Sequence, residues 1–524
     1  MIALYALHLL AGCSSPEPPA PVAPVPGVQA TSLPTPPTPA DLTTVFEVAP
    51  GPDPATSDIG AQRFRVSDGG LVWSEKTLLP VSTSRYGERR PVAVGDGEGG
   101  LIAVFEAEVP DGPLKGDVDI MAQRVGPDGT LRWGGGDRSL VVAATAAVEA
   151  SPRLLADGRG GAFLVFERLG RDEGGRLDAD LSAQHLAADG SATWGAGDPA
   201  GLSIAAGPGI VSGAVVAADG AGGLIVAFVE EPVEGERAGI TRILGQRLDP
   251  GGAPLWGQGS RPLVIASSAS PLSAPCLVPD GRGGALVIFQ EQGSEADKPG
   301  DMDIMVQRVA GDGSLPWSDA PTAYKVVSAT TLAETAVVAV PDGQGGAVVA
   351  FEGRWIAGER RGDVDLLAQR IDATGVGRWG EGAPVPLAYS DWLERAPALV
   401  PDGAGGAIAV FEQHPPASHL STDVDLGAQR ILADGTLAWH EGTASMPVSA
   451  SSHAEQRPVA VPDGEGGVVV VFDARAREGE HAGDVEIVAQ RLGADGTPRW
   501  GAGGESVLLA FTEALEQRPV VAWP

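Results

Sequence analysis

A unit of about 61 residues recurs along the chain and constrains its fold more than any other feature. Each unit carries a Phe ending an apolar run, a Gln in an AQR-like segment and a Trp after a turn, and seven of the eight units also carry a DGxGG turn. The Trp positions are Trp73, Trp133, Trp194, Trp256, Trp317, Trp379, Trp439 and Trp500, at spacings of 60 to 62 residues. Because a fixed period of this length marks a repeat architecture, the 524 residues are not read as several unrelated domains.

Each unit is predicted to form four short strands, named a to d in chain order. In the last complete unit, strand a is predicted at 458–461, strand b at 468–472, strand c at 485–492 and strand d from Trp500 onward. The unbroken apolar run of strand b predicts burial on both faces, and the Asp-Gly pairs predict hairpin turns. Four antiparallel strands per repeat of this length are typical of a β-propeller blade.

The two ends of the chain complete each other. The first unit lacks strand a, whereas residues 518–524 repeat the strand a sequence of residues 457–462 and then stop. We therefore predict an all-β, eight-bladed β-propeller over residues 41–524. One blade combines 518–524 with 41–84, and blades of roughly 61 residues follow from 85 to 517. Such closure removes exposed sheet edges. An open solenoid and a seven-bladed ring with an unpaired remnant are the alternatives.

The amino terminus has a different composition. A short apolar stretch, 2–10, runs into Leu10-Ala11-Gly12-Cys13, which resembles a bacterial lipobox. The resemblance implies a signal peptide over 1–12, lipidation at Cys13 and, with Ser14 following, an anchor in the outer membrane or at the cell surface. Residues 14–40 contain ten prolines, which favour extended polyproline II, so 13–40 are predicted to form a lipidated tether. An ordinary signal peptide with a chance Cys is the alternative.

The repeats resemble the DGxGG…AQR…DG…WG units of secreted bacterial propeller-like lipoproteins, and the resemblance covers residues 41–524. They also have a distant likeness to the Asp-box of sialidase-type propellers, with Asp495 five residues before Trp500. The glycine of that turn falls one place too early and the leading Ser is absent. The likeness therefore implies no sialidase activity.

Charge and cysteine usage exclude several classes of function. A net charge of −32 argues against nucleic acid, whose binding needs clustered Lys and Arg. The two cysteines, Cys13 and Cys276, form no disulfide framework, and the apolar neighbours of Cys276 predict a buried structural thiol. No cofactor is predicted, with Ca²⁺ left open.

Internal repetition separates architecture from function. Features present in every unit are assigned to architecture, whereas the b–c and d–a loops vary and are predicted to share one face, where binding usually occurs. Off-pattern aromatic residues lie in these loops, and with Arg354 they form the predicted ligand site: Trp355, Tyr389 and Trp392. Aromatic platforms with cationic neighbours suit sugar rings or a protein hot spot. A buried aromatic patch is the alternative.

Acidic residues recur on the same face. A Glu precedes the predicted strand a in six units, and these residues are predicted to ring a channel mouth: Glu88, Glu149, Glu334, Glu394, Glu455 and Glu516. DxD pairs such as Asp423 and Asp425 end most b–c loops. Such oxygens suit Ca²⁺, but their repetition equally suits hydrogen bonds between blades. No complete Ca²⁺ loop is present, so no metal ligand is assigned.

Catalysis has little support in the sequence, since no HExxH motif or nucleophile–base pair is evident and no catalytic residue is assigned. We predict a surface-anchored, monomeric, non-enzymatic binding or scaffold propeller. Its partner would be a protein or polysaccharide at the variable face, with membrane contact through the lipid only. A secreted polysaccharide hydrolase or lyase and a divalent-cation-dependent adhesin are the alternatives.

Overall fold

The structure is a computed structural model, and strands make up nearly all of its regular secondary structure. It describes residues 40–50, 56–73, 78–112, 115–136, 138–171, 174–195, 198–207, 209–232, 239–257, 261–293, 300–317, 320–415, 424–439, 445–449, 451–477 and 483–523. The predicted signal peptide, Cys13 and the tether up to residue 39 lie outside the described residues, as do Asp423 and Pro524.

Thirty-two strands follow one another along the chain. The first sixteen are β1 Asp41–Ala49, β2 Asp58–Arg65, β3 Leu79–Ser82, β4 Gly87–Gly95, β5 Leu101–Glu108, β6 Val118–Val125, β7 Leu140–Ala143, β8 Val148–Ala156, β9 Ala162–Arg171, β10 Leu177–Leu186, β11 Leu202–Ala205, β12 Gly209–Ala218, β13 Leu224–Pro232, β14 Thr241–Leu248, β15 Leu263–Ser268 and β16 Leu272–Pro279. The others are β17 Ala285–Gln292, β18 Met302–Val309, β19 Lys325–Ser328, β20 Leu332–Pro341, β21 Ala347–Trp355, β22 Val364–Ile371, β23 Val385–Ala388, β24 Leu393–Pro401, β25 Ala407–His414, β26 Asp425–Ile431, β27 Met446–Pro447, β28 Ala454–Pro462, β29 Val468–Arg475, β30 Val485–Leu492, β31 Val507–Ala510 and β32 Leu515–Ala522.

These strands form four four-stranded sheets and two eight-stranded sheets. Each eight-stranded sheet consists of two antiparallel groups of four, joined by a single parallel pair at Ala179 and Ile210 or at Met302 and Ala333. The unit of structure is therefore a four-stranded antiparallel group, and the predicted all-β class is confirmed. The described part of the chain contains no helix with the length and apolarity needed to cross a membrane.

We number the units from the amino terminus. Unit 1 is β32 with β1 to β3, and units 2 to 8 each take the next four strands, from β4–β7 to β28–β31.

Strand b forms the core of each unit. In β5, every residue from Leu101 to Ala107 is buried, which agrees with the unbroken apolar run of the sequence. The cores do not stop at unit boundaries, because Val45 and Ile59 of unit 1 pack in one cluster with Phe105 and Met121 of unit 2. Burying a side chain of Phe or Met size stabilises a fold by roughly 1.5–3 kcal/mol, so successive units depend on each other for stability.

The repeated Gln, Arg and Trp residues link neighbouring units. In unit 2, the Trp133 backbone N–H donates to Gln123 Oε1 at 2.9 Å, which fixes the chain after strand c. The Trp133 indole and the Arg124 guanidinium both donate to the Ala188 carbonyl of unit 3, each at 3.0 Å. Arg124 also pairs with Asp96 of the DGxGG turn at 2.9 Å. The repeated motifs are therefore inter-unit connectors, as their repetition predicts.

A second set of links uses a bulge in strand a. In several units a non-glycine residue of strand a has a positive φ, such as Arg90 (51°) and Arg457 (53°). Its backbone N–H donates to the carboxylate that follows the repeat Phe of the preceding unit: Arg90 to Glu47 at 2.6 Å and Arg457 to Glu412 at 2.7 Å. A buried hydrogen bond of this kind contributes about 1–3 kcal/mol to the stability of the fold. This contribution offsets the strain of the left-handed backbone.

The last unit contacts the first. Strand β32 pairs antiparallel with β1, with Thr43 opposite Ala522. The Trp500 indole donates to the Val66 carbonyl at 3.2 Å, and the Arg518 backbone N–H donates to Asp473 at 3.1 Å. The terminal strand begins at Leu515, three residues before the predicted start.

Two predicted strand boundaries are wrong. Strand d does not begin at Trp500, since β31 spans Val507–Ala510. Trp500 is instead held by the Gln490 side chain, which accepts from its N–H at 3.0 Å and donates to its carbonyl at 3.2 Å. A side chain thus replaces the ladder bonds that a strand would need there. The Glu predicted to precede strand a lies inside it, as Glu455 does in β28.

Candidate functional site

The predicted aromatic residues meet at the boundary between units 6 and 7. Trp355 ends β21, and Tyr389 and Trp392 lie in the d–a loop between β23 and β24. The Arg360 guanidinium, from the b–c loop of unit 6, lies 5.1 Å from the Trp355 ring centroid and 4.1 Å from that of Tyr389. The b–c and d–a loops of this unit therefore share one face, as predicted.

Arg354 does not take the predicted position beside these rings. It is exposed near the end of β21, opposite Ala333 of β20. The cation that stacks on the rings is Arg360, because the b–c loop turns back over strand b between residues 356 and 363. The predicted arginine is thus replaced by another from the same loop.

Hydrogen bonds fix the Nε and Nη2 atoms of Arg360, whereas its Nη1 is buried without a partner. Its guanidinium donates to Asp365 at 2.8 Å and to the Ser390 carbonyl at 3.3 Å, and it pairs with Asp363. The Trp355 indole also donates to Asp365, at 2.7 Å. Burial raises the pKa of Asp365, and the hydrogen bonds from Trp355 and Arg360 oppose that rise. Arg360, whose charge is paired with Asp363 and Asp365, therefore joins the b–c loop of unit 6 to its d–a loop.

A cleft of about 490 Å³ lies beside this network, between unit 6 and unit 7. Its volume falls within the range typical of small-ligand sites. The lining residues come from strand d and the d–a loop of unit 6, from strands a, b and c of unit 7 and from the segment between strands c and d of unit 7: Tyr389, Ser390, Trp392, Gln413, Asp425 and Ser445 are among them. Tyr389 is 58% exposed. One wall is thus aromatic and the other carries hydrogen-bonding groups.

Two residues of unit 7 leave room for the cleft. Gly427 of β26 stands where six other units have larger side chains: Met121, Ser182, Leu244, Met305, Leu367 and Val488. Gln413 stands at a position that varies from unit to unit and is Ala107 in unit 2. Because residues alternate along a strand, Gly427 shares its face with Asp425 and Gln429, which line the cleft. A Cβ at Gly427 would meet Gln413 Oε1 at 2.8 Å. The glycine therefore leaves room that the Gln413 amide enters.

The six predicted acidic residues do not line an open mouth. Glu455 is 2% exposed and the other five are 0% exposed. Each binds a hydroxyl group of the preceding d–a loop. Ser451 donates to Glu455 at 2.7 Å and Ser328 to Glu334 at 2.6 Å, and Ser390 donates to Glu394. The same hydroxyl often caps the turn, as where the Trp392 N–H donates to Ser390 Oγ at 3.0 Å. These carboxyl groups therefore brace the loops from inside.

Burial changes the acidity of these glutamates. It raises the pKa of both Glu88 and Glu394 to about 7, against hydrogen bonds that lower it, and the neighbouring Asp58 or Asp365 adds to the rise. The Oε2 atoms of Glu88, Glu334, Glu394 and Glu516 are buried without a hydrogen-bond partner. An unpaired buried oxygen disfavours the ionised form, and burial likewise raises the pKa of Glu334 and of Glu516.

Other predicted sites can be placed within the described residues. There, no group of three or more His, Cys, Asp or Glu side chains is arranged to hold a metal ion. Cys276 lies in β16, partly buried against an apolar cluster, and burial raises the pKa of its thiol to about 11. That environment fits a structural thiol.

Sequence reasoning missed the polar wall of the cleft and one further group. His185 replaces the Arg of AQR in unit 3 alone. Its Nε2 lies 2.9 Å from Asp157 Oδ2, and its Nδ1 lies 2.8 Å from Thr193 Oγ1. Alignment of the repeats position by position would have revealed His185, Gly427 and Gln413, since each differs from its counterparts in most other units.

No family model matches the chain, and no curated protein matches it. Solved structures similar to it include puromycin hydrolase, at TM-score 0.44 and 17% identity over 83% of this chain and 58% of that one. A Mycobacterium tuberculosis puromycin-hydrolyzing peptidase gives TM-score 0.42 and 15% identity over 84% and 59%. A thermostable family-43 glycoside hydrolase gives TM-score 0.27 and 11% identity over 58% and 94%. The chain spans less than two thirds of the two peptidases, and these scores carry no argument about activity.

Proposed function

We propose that the protein binds an uncharged saccharide in the cleft between units 6 and 7. The observation that carries the proposal is the cleft itself, which pairs an aromatic wall with a polar wall. Aromatic rings stack on the C–H faces of sugars, and amide, hydroxyl and carboxylate groups bind the sugar hydroxyls. Small-ligand sites commonly combine these two kinds of side chain.

The charges around the cleft support an uncharged ligand. Arg360 is paired with Asp363 and Asp365, and Asp425 pairs with Arg477 at 3.1 Å. Glu394 also lines the cleft, is buried, and has its pKa raised to about 7. A uronate or sulfated chain needs a cation free to bind its anion, and the cations named here already have carboxylate partners.

The test is direct binding of neutral oligosaccharides. Titration calorimetry with cellopentaose, maltopentaose and laminaripentaose, beside oligogalacturonate as the charged probe, measures both affinity and charge preference. Trp392→Ala and Gln413→Ala are each expected to weaken binding of a neutral probe at least tenfold, because each removes a wall of the cleft. Equal affinity of these variants and the unmodified protein would refute the proposal.

The chain offers a matched control in unit 1. Tyr86 stands two residues before Glu88, as Trp392 stands before Glu394, and its N–H binds Ser84 Oγ at 3.1 Å. Tyr86→Ala removes an aromatic residue from an equivalent loop without touching the cleft. It should leave saccharide affinity unchanged.

The scaffold we propose for this site is an eight-bladed propeller closed by β32. The pairing of β32 with β1 and the bond from Trp500 to Val66 support closure. Deletion of residues 515–524 should lower the melting temperature much more than deletion of ten residues from 14–39. Equal melting temperatures of the two deletions would refute the closed ring.

Attachment to a membrane through Cys13 is a separate proposal, supported by the lipobox-like sequence. It places the cleft outside the cell, where polysaccharide is available. Mass spectrometry of the mature amino terminus should find a Cys13 carrying acyl chains. An unmodified amino terminus at another residue would refute the anchor.

A hydrolase is the second candidate, and the group Asp157–His185–Thr193 favours it. The Asp157 carboxylate only accepts hydrogen bonds, so it fixes the proton of neutral His185 on Nε2 and leaves Nδ1 to accept from the Thr193 hydroxyl. This order of acid, base and hydroxyl is the signature of an activated nucleophile. Thr193 is exposed, and on attacking an ester carbonyl it would pass its proton to His185, which would give that proton to the alcohol that leaves as the ester C–O bond breaks, and water would then hydrolyse the acyl-enzyme.

Hydrolysis of p-nitrophenyl acetate separates this candidate from an architectural reading. Thr193→Val removes the hydroxyl while keeping its shape, and His185→Arg restores the residue of the other units. Loss of hydrolysis in both variants would favour the hydrolase. Release of p-nitrophenol no faster than in buffer, by the unmodified protein, would end it.

A further inference from the structure

The position of Arg360 determines which face of Tyr389 is open. The guanidinium lies 4.1 Å from the ring centroid, within the distance of a cation–π contact. Tyr389 nevertheless keeps 58% of its surface exposed. The exposed face is therefore the one turned away from Arg360.

Arg360 is held more firmly than an exposed side chain usually is. It binds carboxylates at two positions of its own unit, Asp363 and Asp365, and Asp365 is itself fixed by the Trp355 indole at 2.7 Å. The planar guanidinium forms these bonds in a fixed fork, which an ammonium group does not reproduce. Its guanidinium also lies over the rings of both Trp355 and Tyr389, 5.1 Å and 4.1 Å from their centroids.

The same guanidinium reaches the cleft wall. It donates to the Ser390 carbonyl at 3.3 Å, and Ser390 caps the turn that carries Trp392, with the Trp392 N–H 3.0 Å from Ser390 Oγ. One side chain thus connects the b–c loop of unit 6 to the loop that supplies the aromatic wall. That connection orders the wall before a ligand arrives, which reduces the entropic cost of binding.

We propose that Arg360 is the positioning residue of the saccharide site, acting on the ligand through Tyr389. This inference rests on the proposed function of the cleft. It assigns Arg360 no contact with the sugar. The side chain holds one face of Tyr389 and the Ser390 carbonyl, and the opposite face of Tyr389 receives the ligand.

A double-mutant cycle on the full chain tests this role, with the neutral pentasaccharides as probes. Arg360→Ala is expected to weaken binding about tenfold in the unmodified protein and to have a much smaller effect in a Tyr389→Ala background, where only its bond to the Ser390 carbonyl remains. Arg360→Lys should restore only part of the affinity, because it returns the charge without the fork. Arg361→Ala, at the exposed neighbouring arginine, is the matched control and should bind as the unmodified protein does.

The outcomes separate this inference from the function on which it rests. If Tyr389→Ala weakens binding but Arg360→Ala does not, the positioning role is wrong and the site stands. If Arg360→Ala weakens both backgrounds equally, Arg360 acts on something other than Tyr389 and the inference is also wrong. If Tyr389→Ala binds normally, this inference is wrong, while the cleft is still tested by Trp392→Ala and Gln413→Ala. If no neutral probe binds, the proposed function fails and this inference fails with it.

Discussion

The boundary between units 1 and 2 and the boundary between units 6 and 7 are built from the same turn, yet only the second opens into a cleft. Both have a Ser that caps an aromatic residue, Tyr86 or Trp392, and a buried Glu two residues later. At the first boundary, Met121 and Ala107 complete an apolar cluster against which Tyr86 packs. At the second, Gly427 and Gln413 occupy the equivalent positions. The turn is therefore architectural, and the strand b and strand c residues decide whether a site exists.

Unit 1 shows that glycine alone does not open a cleft. Gly60 of β2 occupies the position of Gly427, but a Cβ there would meet Val48 at 2.9 Å and Leu78 at 3.2 Å. Apolar neighbours fill that space. At Gly427 the neighbour is the polar Gln413, whose amide also accepts from Ser445 Oγ at 3.2 Å. The cleft thus depends on Gly427 together with the polar Gln413.

The largest effect is expected from opening the closed boundary. Met121→Gly should destabilise the protein by roughly 2–5 kcal/mol, because it removes a buried side chain and leaves a cavity. Urea unfolding measures the change. As a control, Met446→Gly removes a partly buried methionine of β27 and should cost clearly less. Equal costs would show that Met121 is not part of a shared core.

The pH dependence of stability should be the same at both boundaries. A carboxyl group whose pKa folding raises from 4.5 to about 7 stabilises the fold below pH 4.5 and loses that contribution as the pH rises towards 7. Glu88→Gln and Glu394→Gln keep the neutral form at every pH. Each should remove a pH-dependent loss of the order of 1–3 kcal/mol, measured as the change in unfolding free energy between pH 5 and pH 7.5.

A difference between Glu88→Gln and Glu394→Gln in the pH dependence of the unfolding free energy would show that the two boundaries are not equivalent. If only Glu394→Gln altered the pH dependence, the glutamate of the cleft would have a role that Glu88 lacks. If neither did, the two groups would be ionised in the folded protein and the bracing role would need another explanation.

The smallest effect concerns the capping hydroxyls. Ser84→Ala and Ser390→Ala should each cost about 1 kcal/mol, the usual net value of a hydrogen bond, and the two costs should agree. Thermal unfolding monitored by circular dichroism can compare them. A much larger cost at Ser390 would indicate that the Ser390 carbonyl, and with it Arg360, depends on this cap.

The sequence predicted the strands correctly wherever the burial of a strand produced a run of apolar residues. Strands a, b and c follow from apolar runs such as that of β29, whose first seven residues are all buried. The start of strand d was predicted too early, because the backbone N–H of Trp500 donates to the Gln490 side chain and not to a neighbouring strand. The pattern of apolar residues does not reveal a hydrogen bond of this kind. The pairing of the terminal strand with β1 was visible because a strand missing at one end of the chain was present at the other.

The site was predicted less completely than the strands. Trp355, Tyr389 and Trp392 were evident as off-pattern aromatic residues gathered in the loops of one repeat. The choice of Arg354 over Arg360 failed because loop conformation decides which arginine turns back over the strand. The six glutamates were read as exposed because their hydroxyl partners lie in a loop whose turn only the structure shows. Gly427 was missed because a glycine carries no functional group, and its effect on the space in the cleft is visible only when it is compared with the larger residues of other repeats.

The most direct test of the account converts one boundary into the other. Gly427→Met combined with Gln413→Ala gives unit 7 the residues of unit 2, and calorimetry with the neutral pentasaccharides compares it with the unmodified protein. We predict that binding is lost while the melting temperature is kept or raised, because the new methionine fills the cleft with apolar contacts. Unchanged saccharide affinity in this folded variant would contradict the claim that the cleft is the binding site.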